Sequence, residues 1–225
     1  MAEQTLNKPV RNIVIFGDSY STFEGYIPEG YLSYYSQAYD PRTDVDRVEQ
    51  TWWHRLCKEM NLNLVLNNSW SGSTICYTGY EGDCSQTSSF IYRLKQLQAQ
   101  DFFRKNDVDT ILIFGGTNDH WAEAPLGKLQ FASWQEKDLY AVQPAICCMI
   151  KRAQEALPDG NVVFILNSEL KPEVGEAVRE ATCRYGTCCV SLRDIDKNDN
   201  HPTVLGMSQI AAQVQAFLQT AQKAY

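Results

Sequence analysis

Five short apolar runs, rich in β-branched residues and each followed by turn residues, punctuate the chain at Asn12 to Phe16, Leu62 to Leu66, Thr110 to Phe114, Val162 to Leu166 and Cys189 to Leu192. Their length and near-continuous apolar character predict strands covered on both faces. Between and after them, apolar positions recur at helical spacing over about Glu49 to Met60, Ser88 to Gln98, Asp138 to Leu157, Glu173 to Arg184 and Val204 to Lys223. In the last of these, Ile210, Val214, Phe217 and Leu218 share one face, the pattern of a helix packed on a core. The alternation predicts a three-layer α/β/α sandwich with a doubly wound, mainly five-stranded parallel sheet. No internal repeat, low-complexity tract or linker divides residues 1–225, so a single domain is expected.

Two segments break the alternation. Tyr20 to Asp46 is rich in tyrosine (Tyr20, Tyr26, Tyr31, Tyr34, Tyr35, Tyr39), and Thr117 to Glu136 carries Trp121, Phe131 and Trp134. Long insertions of this kind often carry function, so both are expected to wall a substrate site. Aromatic faces pack on C–H surfaces while phenol and indole donors meet hydroxyls, which suits sugar rings or acyl groups. Trp52 and Trp53 read as packing residues, His54 as a structural or surface residue of a helix, and His120 as incidental.

The polar residues that follow the apolar runs carry the chemistry. The first run delivers Gly17-Asp18-Ser19, the second leads to Asn68-Ser69-Trp70-Ser71-Gly72, the third to Gly115-Gly116-Thr117-Asn118-Asp119, and His201-Pro202 precedes the final helix. Open parallel sheets bind ligands at the carboxyl ends of their strands. A hydroxyl, an unhindered glycine amide, a side-chain amide and an imidazole are the parts needed for acyl transfer through serine. In these blocks and their order the chain resembles the SGNH (GDSL-type) hydrolase family. That resemblance implies Ser19 as nucleophile, His201 as general base, and the Ser19 and Gly72 amides with the Asn118 side chain as the oxyanion hole. Asp18, Tyr20, Tyr34, Tyr35 and Trp121 are the candidate substrate contacts.

One block departs from the family pattern, which has Asp three residues before the His; here that position is Asn198. Four groups remain to orient His201: the carboxylates of Asp199 or Asp196, the amide of Asn198, or a backbone carbonyl. A carboxylate stabilises an imidazolium better than an amide, which favours Asp199.

Composition narrows the partners. A net charge of −7 supplies no basic stripe for nucleic acid. No apolar stretch approaches the roughly 20 residues of a bilayer span, and Met1 to Pro9 does not read as a secretory leader, so a cytoplasmic location is expected. The eight cysteines lack Cys-x-x-Cys spacing, and the adjacent pairs Cys147-Cys148 and Cys188-Cys189 suit helix and strand. Reduced, mostly buried thiols are expected, with a Cys76–Cys84 bridge left open. Neither a metal nor a cofactor is expected. Gly-x-Gly-x-x-Gly, the phosphate-loop lysine and Gly-x-Ser-x-Gly are all missing around the first run, against nucleotide-binding and α/β-hydrolase readings. The expected function is a serine esterase for small acyl esters, with carbohydrate O-acetyl groups as substrate. A lysophospholipase or thioesterase and a silent glycan-binding domain are the alternatives.

Overall fold

The computed structural model describes residues 4–222, so the amino-terminal reading at 1–3 and the helix end at Lys223 lie outside the described residues. The five apolar runs form one parallel sheet from β1 (Asn12–Gly17), β2 (Asn63–Ser69), β5 (Thr110–Phe114), β6 (Asn161–Leu166) and β7 (Cys188–Ser191), in the order β2-β1-β5-β6-β7. Side chains alternate across it. Val14, Phe16, Ile111, Ile113, Val162 and Phe164 enter the core on one face, and Ile13, Ile15, Leu112, Phe114, Val163 and Ile165 the core on the other. Burial on both faces is why these strands read as continuous apolar runs rather than as alternation.

Helices α1 (Trp52–Met60) and α7 (Val204–Gln222) cover the second face, through Trp52, Leu56, Met207, Ile210, Val214 and Leu218. Helices α2 (Phe90–Ala99), α5 (Val142–Ala156) and α6 (Pro172–Tyr185) cover the first. Short helices α3 (Phe102–Lys105) and α4 (Thr117–Trp121) complete the set, with two-residue hairpins β3 (Thr78–Gly79) with β4 (Gly82–Asp83) and β8 (Lys197–Asn198) with β9 (His201–Pro202). The fold is the expected three-layer sandwich.

The chain turns from β1 to β2 on one side and then crosses to β5 on the other, so the sheet's switch point lies at the carboxyl ends of β1 and β5. The Gly-Asp-Ser turn and the Gly-Gly-Thr-Asn turn both open there. Among the described residues no helix is long and apolar enough to cross a membrane.

All eight cysteines are free. Cys147-Cys148 lie in α5 and Cys188-Cys189 in β7, as their neighbours indicated. Cys76 Sγ contacts the Thr78 carbonyl, and Cys84 Sγ the Thr74 hydroxyl at 3.3 Å, so this pair is unbridged.

Candidate active site

Ser19 opens a one-turn 3-10 helix, Ser19–Ser21, at the end of β1. The Asp18 carboxylate caps this turn by accepting from Tyr20 N at 3.1 Å, and the Thr22 hydroxyl donates back to the Ser19 carbonyl at 3.0 Å. The indole N–H groups of Trp52 and Trp53 donate to the Ser21 hydroxyl and carbonyl at 3.2 and 2.9 Å, and Asn67 Nδ2 reaches the same carbonyl at 2.8 Å. The two tryptophans are therefore packing residues that also fix the serine turn from behind.

Ser19 Oγ lies 3.0 Å from His201 Nε2, across 182 residues of sequence. His201 Nδ1 lies 3.0 Å from the backbone carbonyl of Asp199. A carbonyl only accepts, so Nδ1 carries the proton, Nε2 is the bare nitrogen, and the Ser19 hydroxyl donates to it. This corrects the expectation of a carboxylate at Nδ1. The Asp199 carboxylate is exposed, Asp196 accepts from the Thr203 hydroxyl, and Asn198 Nδ2 donates to the Arg42 carbonyl at 3.0 Å. Left-handed backbone at Asp199 and Asn200, with φ of 46° and 60°, turns the carbonyl toward the ring.

Tyrosines hold this hairpin. The Tyr20 hydroxyl donates to the Asn200 carbonyl, and the Tyr35 hydroxyl to the Pro202 carbonyl at 3.0 Å. The Tyr34 ring stacks on His201 at 3.6 Å and 5°. Among the candidate substrate contacts, Asp18, Tyr20 and Tyr35 are thus buried braces rather than walls, whereas Tyr34 and Trp121 remain half-exposed beside His201. Phe131 and Trp134 pack against the core on the α5 and α6 side, Phe131 edge-on to Tyr185 at the carboxyl end of α6. Their insertion serves packing there.

Because the carbonyl and not the carboxylate meets His201, Asp199→Asn is expected to keep kcat/KM within about threefold, where loss of a true triad carboxylate costs roughly ten-thousand-fold. Steady-state kinetics of this variant decide the point: a drop beyond a hundred-fold would return the carboxylate to the site.

The groups expected as oxyanion donors lie on the neighbouring turns. Gly72, with φ of +78° and open space where a Cβ would stand, sits in the turn after β2, which Trp70 N ties to the Gly17 carbonyl at 3.1 Å. Asn118, buried in the first turn of α4, donates from Nδ2 to the Ser73 carbonyl at 3.0 Å and accepts at Oδ1 from the Tyr80 hydroxyl at 3.0 Å. Asp119 accepts from the N–H groups of Ile75 and Cys76 at 2.9 and 3.0 Å, locking the Gly72 loop to α4. Burial raises the carboxyls of both Asp119 and Asp18, the latter to about 7, and Asp18 Oδ2 has no partner among the described residues.

Arg93 escaped the sequence analysis. Its guanidinium is buried and bonds the Asn68 carbonyl and Oδ1, the Gly17 carbonyl at 3.2 Å, Ser73 Oγ at 3.0 Å and the Ser88 carbonyl at 2.8 Å. It joins the ends of β1 and β2 to the Gly72 loop. The signal was present, since Arg93 shares the apolar face of α2 with Phe90, Leu94 and Leu97. Burial pulls its pKa down to about 10, still charged at neutral pH. His120 accepts from Lys171 N at 3.3 Å, and among the described residues no group of three or more His, Cys, Asp or Glu is placed to hold a metal ion.

Comparison with known proteins bears on the same region. A candidate GDSL-like lipase of Bacteroides ovatus superposes with a TM-score of 0.86 at 42% identity over 94% of this chain and 99% of that one. A second, from Bacteroides uniformis, gives 0.84 at 42% identity over 92% and 94%. The acetyl xylan esterase Est2A of Butyrivibrio proteoclasticus shares the fold, with a TM-score of 0.63 at 16% identity over 94% of this chain and 64% of that one. No curated protein sequence matches the chain. The pattern of the family described as GDSL-like Lipase/Acylhydrolase matches residues 11–218, and with the two Bacteroides relatives it shows that this chain belongs to that family.

Proposed function

We propose that the chain hydrolyses small acyl esters through an acyl-Ser19 intermediate, with O-acetylated carbohydrates as the substrate class. The observation that carries the reading is the 3.0 Å contact between Ser19 Oγ and a bare His201 Nε2 at the carboxyl end of the sheet. As Oγ bonds the acyl carbon, its proton passes to Nε2, and charge gathers on the former carbonyl oxygen. The Ser19 and Gly72 amides and the second N–H of Asn118 receive that charge. His201 then protonates the departing alkoxide, and water, deprotonated by the same nitrogen, releases the acid and restores Ser19. Throughout, the Asp199 carbonyl keeps the ring in its productive tautomer.

Small, sugar-borne esters are favoured by the half-exposed aromatic surfaces of Tyr34 and Trp121 around His201 and by the open approach at Gly72. A fold neighbour is itself named an acetyl xylan esterase. The test is hydrolysis of p-nitrophenyl acetate, butyrate and octanoate by wild type and Ser19→Ala, followed by acetate release from acetylated sugars. Serine-dependent turnover that favours acetate supports the reading. Preference for octanoate replaces it with a lipase-like enzyme, and no turnover above the variant with a silent binding domain.

His201 must be neutral to accept the serine proton. Burial lowers its pKa from the ordinary histidine value, opposed by the Asp199 carbonyl and charge, so the imidazolium that would block catalysis is disfavoured. The acid limb of the kcat/KM profile is therefore expected to have its midpoint below about pH 6.5. A midpoint above that value in the pH–rate profile would contradict the assignment.

A further inference from the structure

We infer that Tyr80 is a positioning residue for the oxyanion hole, acting through Asn118. The inference rests on the hydrolase reading above and adds a residue that the family motifs do not contain. An asparagine amide has two N–H donors and one oxygen acceptor, and on its own it can rotate or flip. Here both ends are held. The Ser73 carbonyl only accepts, so the group 3.0 Å from it is Nδ2, and the phenol 3.0 Å from the other end must donate to Oδ1. One N–H of Nδ2 is thereby left for the substrate oxygen. Drawing electron density toward Oδ1 also strengthens that N–H as a donor, because linked hydrogen bonds polarise one another.

The frame that carries Tyr80 is well anchored. Tyr80 and Glu81 form the tip between β3 and β4, where Thr78 faces Asp83 and Gly79 faces Gly82. The hairpin's base is tied down by Thr78 Oγ1 to the Tyr140 carbonyl at 2.8 Å, Tyr77 N to the Leu139 carbonyl at 2.9 Å and Cys84 N to the Tyr77 carbonyl at 2.8 Å. Burial, with the nearby Asp18 and Asp119, pushes the Tyr80 phenol up to about 12, so it remains a donor across the working pH range. Yet the residue is 54% exposed, so its removal should spare the core.

The experiment pairs Tyr80→Phe with Asn118→Ala. Tyr80→Phe is expected to lower kcat about tenfold with KM within about twofold and melting temperature unchanged, a fraction of the roughly hundred-fold expected for removing the donor itself. In the Asn118→Ala background the same change should alter kcat by less than about twofold. An equal effect in both backgrounds, a change confined to KM, or unaltered kcat in the single variant would each overturn the inference. A second readout is independent of turnover: the Asn118 side-chain NH2 signals in nitrogen-15 NMR should shift and exchange faster in Tyr80→Phe. Unchanged signals would refute the role of Tyr80 even were the protein inactive, whereas absent Ser19-dependent turnover with altered signals would refute only the hydrolase reading.

Discussion

Ser19→Ala is expected to lower p-nitrophenyl acetate turnover at least roughly a thousand-fold, and His201→Ala by a comparable factor. The two side chains share one hydrogen bond, so each is of little use without the other. The double variant should accordingly be no worse than the poorer single one, as for groups that act as a unit. Residual turnover above water is expected from the donors that remain. Folding is not at stake for serine: replacing a hydroxyl by hydrogen leaves the 3-10 turn with its Asp18 cap and its Thr22 bond intact. Equal melting temperatures for wild type and Ser19→Ala would establish that any loss is chemical. Wild-type rates in Ser19→Ala would remove the nucleophile and with it the proposed mechanism.

How far the chain could be read in advance depended on which interactions set each element. β5 coincides with its apolar run because every residue from Thr110 to Phe114 is buried. β2 runs three residues past its run, through Asn67, Asn68 and Ser69. Those polar residues are buried by partners far away in sequence, Ser21 and Arg93 among them, and local hydropathy carries no trace of that. Helices α1 and α5 start later than their patterns suggested because 3-10 turns at Val48–Gln50 and Glu136–Tyr140 precede them. The two-residue hairpins are too short to show any period.

The site divides in the same way. Ser19 and His201, which their turns made conspicuous, are brought within hydrogen-bond distance. The group at His201 Nδ1 was in view as one of four candidates, but the sequence could not select it over the Asp199 carboxylate, because a main-chain carbonyl has no residue identity and its direction follows from left-handed backbone at Asp199 and Asn200. Tyr20 and Tyr35 were conspicuous as aromatics, but composition does not distinguish a wall from a brace. Their hydroxyls turned inward to the carbonyls of Asn200 and Pro202.

Gly206→Ala should cost about a hundred-fold in kcat/KM and about 1 to 3 kcal/mol of stability, through the backbone that carries His201. A Cβ there would lie 2.0 Å from the Asp196 carbonyl oxygen and 3.3 Å from Ile195 Cγ2. The obstruction is backbone, so it cannot be relieved by turning a side chain. Asp196 leads directly into β8, whose Asn198 pairs with His201 in β9, and its carbonyl also accepts from Thr203 N at 3.2 Å. Making room for a methyl group therefore shifts the strand that carries the imidazole, and a displacement near 1 Å is enough to cost roughly two orders of magnitude in rate. Gly175→Ala is the matched control. In α6 the nearest neighbour of the new Cβ would be the far end of the Arg179 guanidinium at 3.1 Å, which can move aside. Helix propensity then favours alanine by about 0.5 to 1 kcal/mol, with kcat/KM unchanged. Melting curves and kinetics on the two variants separate the effects: a Gly206→Ala protein that melts early but keeps full kcat/KM would show that the hairpin's placement of His201 does not depend on this contact.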